Sequence, residues 1–276
     1  MSKIRPFVKW AGGKRQIIDE LNKYAPKKFN KYYEPFIGGG AFLFELEPKY
    51  AVINDYNEEL INVYNCIKDK NKYKKILNLL DVYELKHSKE FYYEIRNIDR
   101  DKTLYNKLTD VEKCVRTIYL NKSCFNGLYR VNRKNEFNVP FNQKEKVNTY
   151  DKDNIELISL YLRNNNITIL NGDFEDAVES ASEKDFIYFD PPYDSDTDTF
   201  TSYTNNGFTK DDQIRLSEVF KKLDKKGCYV MLSNHNTTLI NELYKDYNIH
   251  VIMAKRNINS NGKGRGIIEE VIITNY

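Results

Sequence analysis

Two kinds of segment follow one another along this chain. Short, nearly continuous apolar runs occur near the N-terminus and again in the C-terminal half, and the segments between them carry apolar residues at helical spacing. Such runs alternating with helices are typical of a parallel β-sheet with both faces covered. The pattern predicts seven strands, in residues 31–40, 50–57, 167–174, 185–190, 228–234, 249–255 and 269–276.

The two ends of the chain carry further signals. A helix is predicted in residues 13–26, where Ile17, Ile18 and Leu21 share one face and Pro26 ends the segment. The last two strands are joined by a Gly/Ser/Asn loop without a helix. They therefore indicate an antiparallel hairpin, at the edge of the sheet or beyond its middle.

The strand pattern stops between the second and third predicted strands. Helical segments replace it in residues 58–69, 73–86 and 109–124, and a basic, asparagine-rich stretch covers 121–148. We therefore expect an α/β fold whose mostly parallel sheet is formed by residues 1–57 and 165–276. A mainly helical domain, residues 58–164, is inserted between them.

Composition restricts the class of protein. The 276 residues allow a large core, and the formal net charge of +3 is too small to indicate a polyanionic partner by itself. The four cysteines lack Cys-x-x-Cys spacing, which argues against a structural zinc site and a disulfide framework, and we expect no metal. Without a signal-peptide core or an apolar stretch of membrane-spanning length, the sequence predicts a cytoplasmic protein that does not contact membranes.

Positive charge is concentrated in the second part of the insertion. Six cations and two acids lie between residues 121 and 146, interleaved with Phe125, Tyr129, Phe137 and Phe141. A solvated charged loop and a nucleic-acid contact both account for this composition.

Carboxylates and glycines stand at the ends of the predicted strands. Because ligands of open parallel sheets bind at the carboxyl ends of strands, Asp55, Asp173, Asp190 and Gly38–Gly40 indicate one pocket. Asp55 follows Gly40 by 15 residues, near the spacing at which an acid holds ribose hydroxyls. Asp173 is placed to accept from an adenine amine, with Phe174 beside the ring. A tight strand-to-helix turn explains the glycines equally well.

The segment FVKWAGGKRQ, residues 7–16, places Lys14 and Arg15 at the start of the first predicted helix. The helix macrodipole disfavours cations there. A ligand carboxylate held by Lys14 and the glycine-rich backbone would reverse that effect, with Trp10 packing on an apolar part of the ligand. Ordinary surface charge is the alternative.

The fourth predicted strand leads into Asp190-Pro191-Pro192-Tyr193. A strand end with a turn would explain two prolines. A site for the exocyclic amine of a nucleobase would explain the flanking residues too. Asp190 would accept one N–H and the Pro191 carbonyl the other, while Tyr193 would stack on the base. The prolines offer no competing donor, and accepting both hydrogens directs the nitrogen lone pair at an electrophile. A base in a duplex would have to flip out to reach this site.

The motifs FVKWAGGK, EPFIGGG, IND, FNGLYRVNRKNEFNVPF, NGDF, DPPY and MLSN occur in this order. In this the chain resembles the Dam-type DNA adenine N6-methyltransferases from about residue 5 to the C-terminus. The resemblance implies a Rossmann-like sheet that binds S-adenosylmethionine, leaves S-adenosylhomocysteine as product, and methylates adenine N6 in double-stranded DNA. Residues 58–164 would be its target-recognition domain.

The resemblance also assigns residues at the two binding sites. It implies cofactor contacts from Trp10, Lys14, Phe36, Ile37, Gly38, Gly39, Gly40, Asp55, Asp173, Phe174 and Asp190. It implies contacts to the target adenine from Asp190, Pro191 and Tyr193.

A third set of residues matches positions that contact DNA in this family: Lys9, Phe125, Asn126, Leu128, Arg130, Asn132 and Pro140. Arg130 matches an arginine that reads guanine, the commonest specific base contact. Leu128 and Pro140 match residues that touch a thymine methyl group. Phe125 and Asn126 match the pair that enters the space left by the flipped base. Together they imply recognition of GATC, although the chain has NQKEKV after FNVPF where relatives often have GRYK.

Two other functions stay open at this point. One is methylation of RNA or of a protein glutamine, against which the basic, aromatic insertion argues. The other is a DNA-binding module that a cofactor only stabilises, against which Asp190 and Tyr193 argue. We expect a monomer that acts in a restriction–modification or a genome-marking system, with a cognate restriction endonuclease as functional partner in the first case. Residues 194–207 are expected to form a lid, with a passive surface loop as the alternative. We expect structural or exposed roles for His87, His235 and His250.

Overall fold

The computed structural model describes residues 3–10, 12–195, 207–255 and 267–276. Seven strands lie in these residues, and each overlaps a predicted segment: β1 (Tyr32–Glu34), β2 (Tyr50–Asp55), β3 (Asn166–Asn171), β4 (Phe186–Phe189), β5 (Tyr229–His235), β6 (Asn248–Lys255) and β7 (Ile267–Thr274). Strand β1 is shorter than predicted because Pro35 has no N–H with which to continue the ladder.

The seven strands form one sheet in the order β3-β2-β1-β4-β5-β7-β6. Strands β1 to β5 pair in parallel, while β7 is antiparallel to both β5 and β6. The predicted α/β fold with a mostly parallel sheet and an antiparallel C-terminal hairpin is therefore confirmed. The chain order reverses between β1 and β4, and the carboxyl ends of strands at such a reversal form a crevice that binds ligands.

Eleven α-helices lie in the described residues: α1 (Ile18–Tyr24), α2 (Ala41–Leu46), α3 (Glu58–Lys68), α4 (Lys70–Leu85), α5 (Lys89–Asn97), α6 (Lys102–Lys107), α7 (Asp110–Ser123), α8 (Lys152–Asn164), α9 (Phe174–Ala177), α10 (Lys210–Lys225) and α11 (Thr238–Leu243). Capping boxes begin α7, from Thr109 to Glu112, and α10, from Thr209 to Asp212. These reciprocal hydrogen bonds satisfy backbone N–H groups that a helix start leaves unpaired.

Apolar side chains of the sheet are buried on both faces, as continuous apolar strands require. In β4, Phe186 and Tyr188 belong to a core that includes residues of α1, α2, α3, α7 and α8. Ile187 and Phe189 face the other way, into a core with α9, α10 and α11. The sheet is therefore held rigidly between two helical layers, which fixes the positions of its strand ends.

A third apolar cluster lies in the segment between β2 and β3. It joins α5 and α7 to the irregular chain that follows α7, through Tyr92, Tyr119, Phe137, Val139 and Phe141. Helices α3 and α8, at the two ends of the segment, contact β3. The third cluster therefore includes fewer residues than the predicted domain, 58–164. The boundaries of a recognition domain stay a prediction.

The N-terminal helix differs from the expectation. Lys14–Gln16 form a short 3₁₀ turn, Ile17 has φ of −114°, and α1 begins only at Ile18. Lys14 therefore does not stand in the first turn of an α-helix, and the expected macrodipole effect does not apply to it. Most of the predicted lid, residues 194–207, lies outside the described residues. No helix in the described part of the chain is long and apolar enough to cross a membrane.

Candidate active site

The four residues that follow β4 lie where the chain order of the sheet reverses. The Asp190 carboxylate accepts a hydrogen bond from Ser233 Oγ of β5 at 3.0 Å and lies 2.7 Å from the Lys14 ammonium. Burial raises the pKa of Asp190, and the adjacent Lys14 opposes that rise. The site thus contains a largely buried ion pair at the end of β4.

Lys14 occupies an unexpected place. Its side chain is buried, its Nζ donates to the Gly12 carbonyl at 2.6 Å, and it lies 4.4 Å from the centroid of the Tyr193 ring. The alternative of ordinary surface charge is therefore wrong for Lys14, because Lys14 is buried and its anionic partner is Asp190. Contact between Lys14 and a cofactor carboxylate stays a prediction.

Tyr193 is held beside this ion pair. Its hydroxyl donates to Glu270 Oε2 of β7 at 3.3 Å, and its ring meets the His235 ring edge-on at 4.9 Å. The Tyr193 ring and the Asp190 carboxylate therefore both contact the Lys14 ammonium. Such a combination binds positive charge by both ion pairing and cation–π attraction.

The glycine turn after β1 lies against the same end of the sheet. Gly38 and Gly40 have positive φ angles of 47° and 71°. A Cβ atom on Gly38 would lie 3.0 Å from the Trp10 ring, and one on Gly40 would lie 2.6 Å from the Tyr64 hydroxyl. Only glycine fits both the backbone conformation and the space. Trp10 itself stacks on Tyr129 at 5.0 Å.

Asp55 closes the glycine turn from β2. Its carboxylate accepts the N–H of Gly38 at 3.0 Å and the N–H of Asn57 at 2.9 Å. Burial raises the pKa of Asp55 to about 6, although both hydrogen bonds act in the opposite direction.

Asn54 is a residue of this site that the sequence reasoning missed. Its amide donates to the Pro35 and Gly172 carbonyls, each at 3.0 Å, and so ties the loops after β1 and β3 to β2. The sequence signals for it were its place beside Asp55 and within the motif IND. Its buried Oδ1 has no hydrogen-bond partner among the described residues. An orphan acceptor of this kind indicates a missing donor.

Asp173 has a partner that was not expected. Arg215 of α10 donates to both of its oxygens, at 2.7 and 2.8 Å, and lies 4.2 Å from the Phe174 ring centroid. These hydrogen bonds lower the pKa of Asp173. Phe174 is buried and also stacks on Phe36, with 5.4 Å between the ring centroids.

Within the described residues, no group of three or more His, Cys, Asp or Glu side chains could hold a metal ion.

The residues with matches to DNA contacts fall into two groups. In the first, Lys9 and the 3₁₀ turn Phe125–Gly127 are joined by Asn121, whose amide donates to the Lys9 and Gly127 carbonyls at 2.7 and 3.2 Å. Phe125 is 52% exposed, and Asn126 has a φ of 57°. An exposed aromatic ring next to a strained residue is available for contact with a ligand.

In the second group, Arg130 and Asn132 lie on a hairpin, residues 130–138, while Leu128 precedes it and Pro140 follows it. Exposed Arg130 donates from Nε to Asn138 Oδ1 at 2.7 Å, and Val131 pairs with Phe137 across the hairpin. Asn132 is part of the hairpin tip, since its side chain bonds Glu136 at 2.7 Å. Leu128 is half-buried, and exposed Pro140 accepts the Phe125 N–H at 2.8 Å.

A buried ion-pair network supports this hairpin and was also missed. Asp99 Oδ2 lies 2.6 Å from a nitrogen of Arg116 and accepts the Phe137 N–H at 2.8 Å. Arg100 pairs with Asp99 and donates to the Phe137 carbonyl. Polar residues at helical positions gave no hint of this network, because their partners are distant in sequence.

Asp55→Asn is expected to change how stability depends on pH. The pKa of Asp55 is raised in the folded state, so the carboxyl group favours folding below its unfolded pKa and this contribution is lost as pH rises through about 6. The stability of Asp55→Asn relative to wild type should therefore increase by about 1–1.5 kcal/mol between pH 5 and pH 7.5. Urea unfolding at several pH values measures this. A constant difference would contradict it, and exposed Asp176→Asn is the control.

Comparison with known proteins shows the family of this chain. Residues 10–258 match the family described as D12 class N6 adenine-specific DNA methyltransferase. The chain is 50% identical to the type II methyltransferase M1.LlaDCHI of Lactococcus lactis subsp. cremoris over 275 residues, which cover 99% of this chain and 96% of that protein. It is 42% identical to the type II methyltransferase M.MjaIII of Methanocaldococcus jannaschii over 291 residues, covering 99% of each. It is 33% identical to the DNA adenine methylase of Escherichia coli strain K12 over 276 residues, covering 99% of this chain and 95% of that one. The chain belongs to the D12 class of N6 adenine-specific DNA methyltransferases.

Proposed function

We propose that this enzyme methylates adenine N6 within GATC in double-stranded DNA, on a base flipped into the turn that Asp190 begins. The observation that carries the proposal is the position of the Lys14 ammonium, 2.7 Å from Asp190 and 4.4 Å from the Tyr193 ring centroid. Positive charge develops on the adenine amine during methylation. A place that holds a cationic nitrogen between a carboxylate and an aromatic face suits that charge.

The proposed roles of the turn follow from its hydrogen-bonding groups. Asp190 accepts one hydrogen of the target amine and the Pro191 carbonyl accepts the other, while Tyr193 stacks on the ring. Lys14 and Ser233 both contact Asp190 Oδ1, so Oδ2 stays available to the amine, while the Lys14 ammonium beside the Tyr193 ring occupies part of the place for the base. A ligand carboxylate offers Lys14 an alternative anion, which links its predicted role in cofactor binding to opening of the base site.

The residues around the glycine turn fit S-adenosylmethionine. Gly38 and Gly40 let the turn pack closely against Trp10 and Tyr64, Asp55 offers an acceptor for hydroxyl groups, and Asn54 Oδ1 is a buried acceptor without a described partner. When bound, this cofactor supplies an electrophilic methyl group. The residues that would hold it are Trp10, Lys14, Phe36–Gly40, Asp55, Asp173, Phe174 and Asp190. Asp173 Oδ2 keeps a lone pair for an amine beside its bond to Arg215.

Recognition of the DNA sequence is assigned to the segment 125–140 together with Lys9. Arg130 is exposed and is oriented by Asn138, since Arg130 Nε donates to Asn138 Oδ1 at 2.7 Å and one terminal nitrogen donates to the Asn138 carbonyl at 3.4 Å. Because each terminal nitrogen carries two hydrogens, N–H groups remain for paired hydrogen bonds with guanine O6 and N7. Phe125 and Asn126 are exposed at the turn, where they can fill the space of a flipped base. Leu128, Pro140 and Asn132 would complete the contacts.

Arg130→Ala is expected to keep cofactor binding but to lose discrimination at the guanine by about 1–3 kcal/mol. The assay compares label transfer from S-adenosylmethionine to GATC duplexes and to duplexes with that guanine replaced. Arg133→Ala, an exposed arginine on the same hairpin, is the matched control. If Arg130→Ala discriminates as well as wild type, the assignment of this hairpin is wrong.

The names of two relatives bear on the role of this enzyme in the cell. Two of the relatives described above are named type II methyltransferases. We therefore propose that this enzyme acts beside a restriction endonuclease of the same specificity. We also propose that it is a monomer in the cytoplasm. DNA from cells that express it should resist a nuclease that cuts unmethylated GATC. Cleavage at the rate of unmodified DNA would contradict the proposed specificity.

A further inference from the structure

Two buried amide side chains lie behind the turn that carries Tyr193. Gln213 belongs to the first turn of α10 and Asn234 to the end of β5, and they are 2% and 0% exposed. Gln213 Nε2 donates to the Pro192 carbonyl at 2.9 Å, and Gln213 Oε1 accepts from Asn234 Nδ2 at 3.1 Å. Asn234 Oδ1 accepts the backbone N–H of Asp194 at 2.8 Å.

These hydrogen bonds hold the two peptide groups that flank Tyr193. The Pro192 carbonyl precedes that residue and the Asp194 N–H follows it. Asp194 is fixed further, because its carboxylate accepts from Thr237 Oγ1 at 2.5 Å and its carbonyl accepts from His235 Nδ1 at 2.7 Å. Side chains from α10 and β5 therefore determine the backbone path through Tyr193.

We propose that Gln213 and Asn234 are positioning residues, which form a clamp that orients the Tyr193 ring for stacking on the target base. This inference rests on the proposed function of Asp190 and Tyr193. Proline fixes φ but leaves the orientation of its own carbonyl to other contacts. Buried amides disfavour any rotation that leaves a donor or acceptor unpaired. The clamp thus supplies the rotational control that the two prolines lack.

The test uses the full-length enzyme, S-adenosylmethionine and a GATC duplex. Gln213→Met removes both polar contacts at similar side-chain length, and it should lower the single-turnover rate of methyl transfer by roughly 10- to 100-fold. Dissociation constants for cofactor and DNA should stay near those of wild type. Ser217→Ala is the matched control, since Ser217 is a buried polar residue of the same helix that bonds the Ile214 carbonyl.

A double-mutant cycle separates positioning from general damage. If Gln213 acts through Tyr193, Gln213→Met should cause no further loss in a Tyr193→Ala background, whereas independent effects would add. A cofactor-free measurement gives a second readout, with 2-aminopurine at the target position of the duplex. The fluorescence of 2-aminopurine should be higher with Gln213→Met than with wild type, because the flipped base stacks less closely on the Tyr193 ring.

Three outcomes bear on the proposal. A wild-type rate in Gln213→Met, or losses that add to those of Tyr193→Ala, would overturn the clamp. If the methionine variant does not fold, Gln213→Glu keeps the length and the acceptor for Asn234 but exchanges the donor, and the same losses are expected. Transfer by Asp190→Ala would instead overturn the proposed function, so the two failures are distinguishable.

Discussion

Asp190→Ala is expected to lower the rate of adenine methylation by roughly 10²- to 10³-fold or more while DNA still binds. The carboxylate is the group placed to accept from the target amine and to stabilise positive charge on its nitrogen. Asp190→Asn keeps the shape and the acceptor for Ser233 but lacks the negative charge, so it should lose most of the same activity. Transfer of a labelled methyl group to a GATC duplex measures both variants.

The control for this experiment is Asp176→Ala, which removes an exposed carboxylate on α9. Asp190→Ala leaves Lys14 without its anion, so thermal unfolding must show that the variant is folded at the assay temperature. Wild-type transfer by folded Asp190→Ala would refute the assignment of this carboxylate. Loss of DNA binding along with transfer would also contradict it.

Asp99→Ala is expected to lower the free energy of unfolding by about 3–5 kcal/mol, because it removes the carboxylate 2.6 Å from buried Arg116 and leaves, among the described residues, only Glu59, at 4.0 Å, as an anionic partner. It also removes the acceptor of the Phe137 N–H, so the hairpin that carries Arg130 should become less ordered. Urea unfolding measures the first effect. Hydrogen exchange of residues 130–138 measures the second.

Two comparisons make the expectation for Asp99 specific. Asp101→Ala removes the exposed cap of α6 a short distance along the chain and should cost only about 1 kcal/mol. The double variant Asp99→Leu with Arg116→Met should recover part of the loss, since apolar pairs often replace buried ion pairs without penalty. If Asp99→Ala costs no more than Asp101→Ala, the network does not support the hairpin.

Local patterns were enough to predict the sheet and its strand ends. The run from Phe186 to Phe189 is apolar at every position, and the structure buries all four side chains, two on each face. The first helix was predicted too early because Ile17, Ile18 and Leu21 show helical spacing, whereas only the backbone shows that Lys14–Gln16 form a separate turn. The spacing of apolar residues indicates which side chains face the core, but it does not indicate where a turn interrupts the helix.

The partners of the charged residues could not be predicted from local patterns. Arg215 lies 42 residues from Asp173, and Lys14 is farther still from Asp190, so no local spacing connects either pair. The same is true of Gln213 and the Pro192 carbonyl, which lie 21 residues apart. Such pairs depend on how helices dock against the sheet.

The sequence by itself determined the alternation of strands and helices, the carboxylates at strand ends, and the motifs of the family, because these depend on short-range periodicity and residue type. Only the tertiary structure decided that Lys14 meets Asp190, that Asn54 joins three strand ends, and that Gln213 and Asn234 hold the backbone around Tyr193. These contacts arise when distant segments pack together, since buried polar groups then pair with whatever donors or acceptors the fold brings within reach.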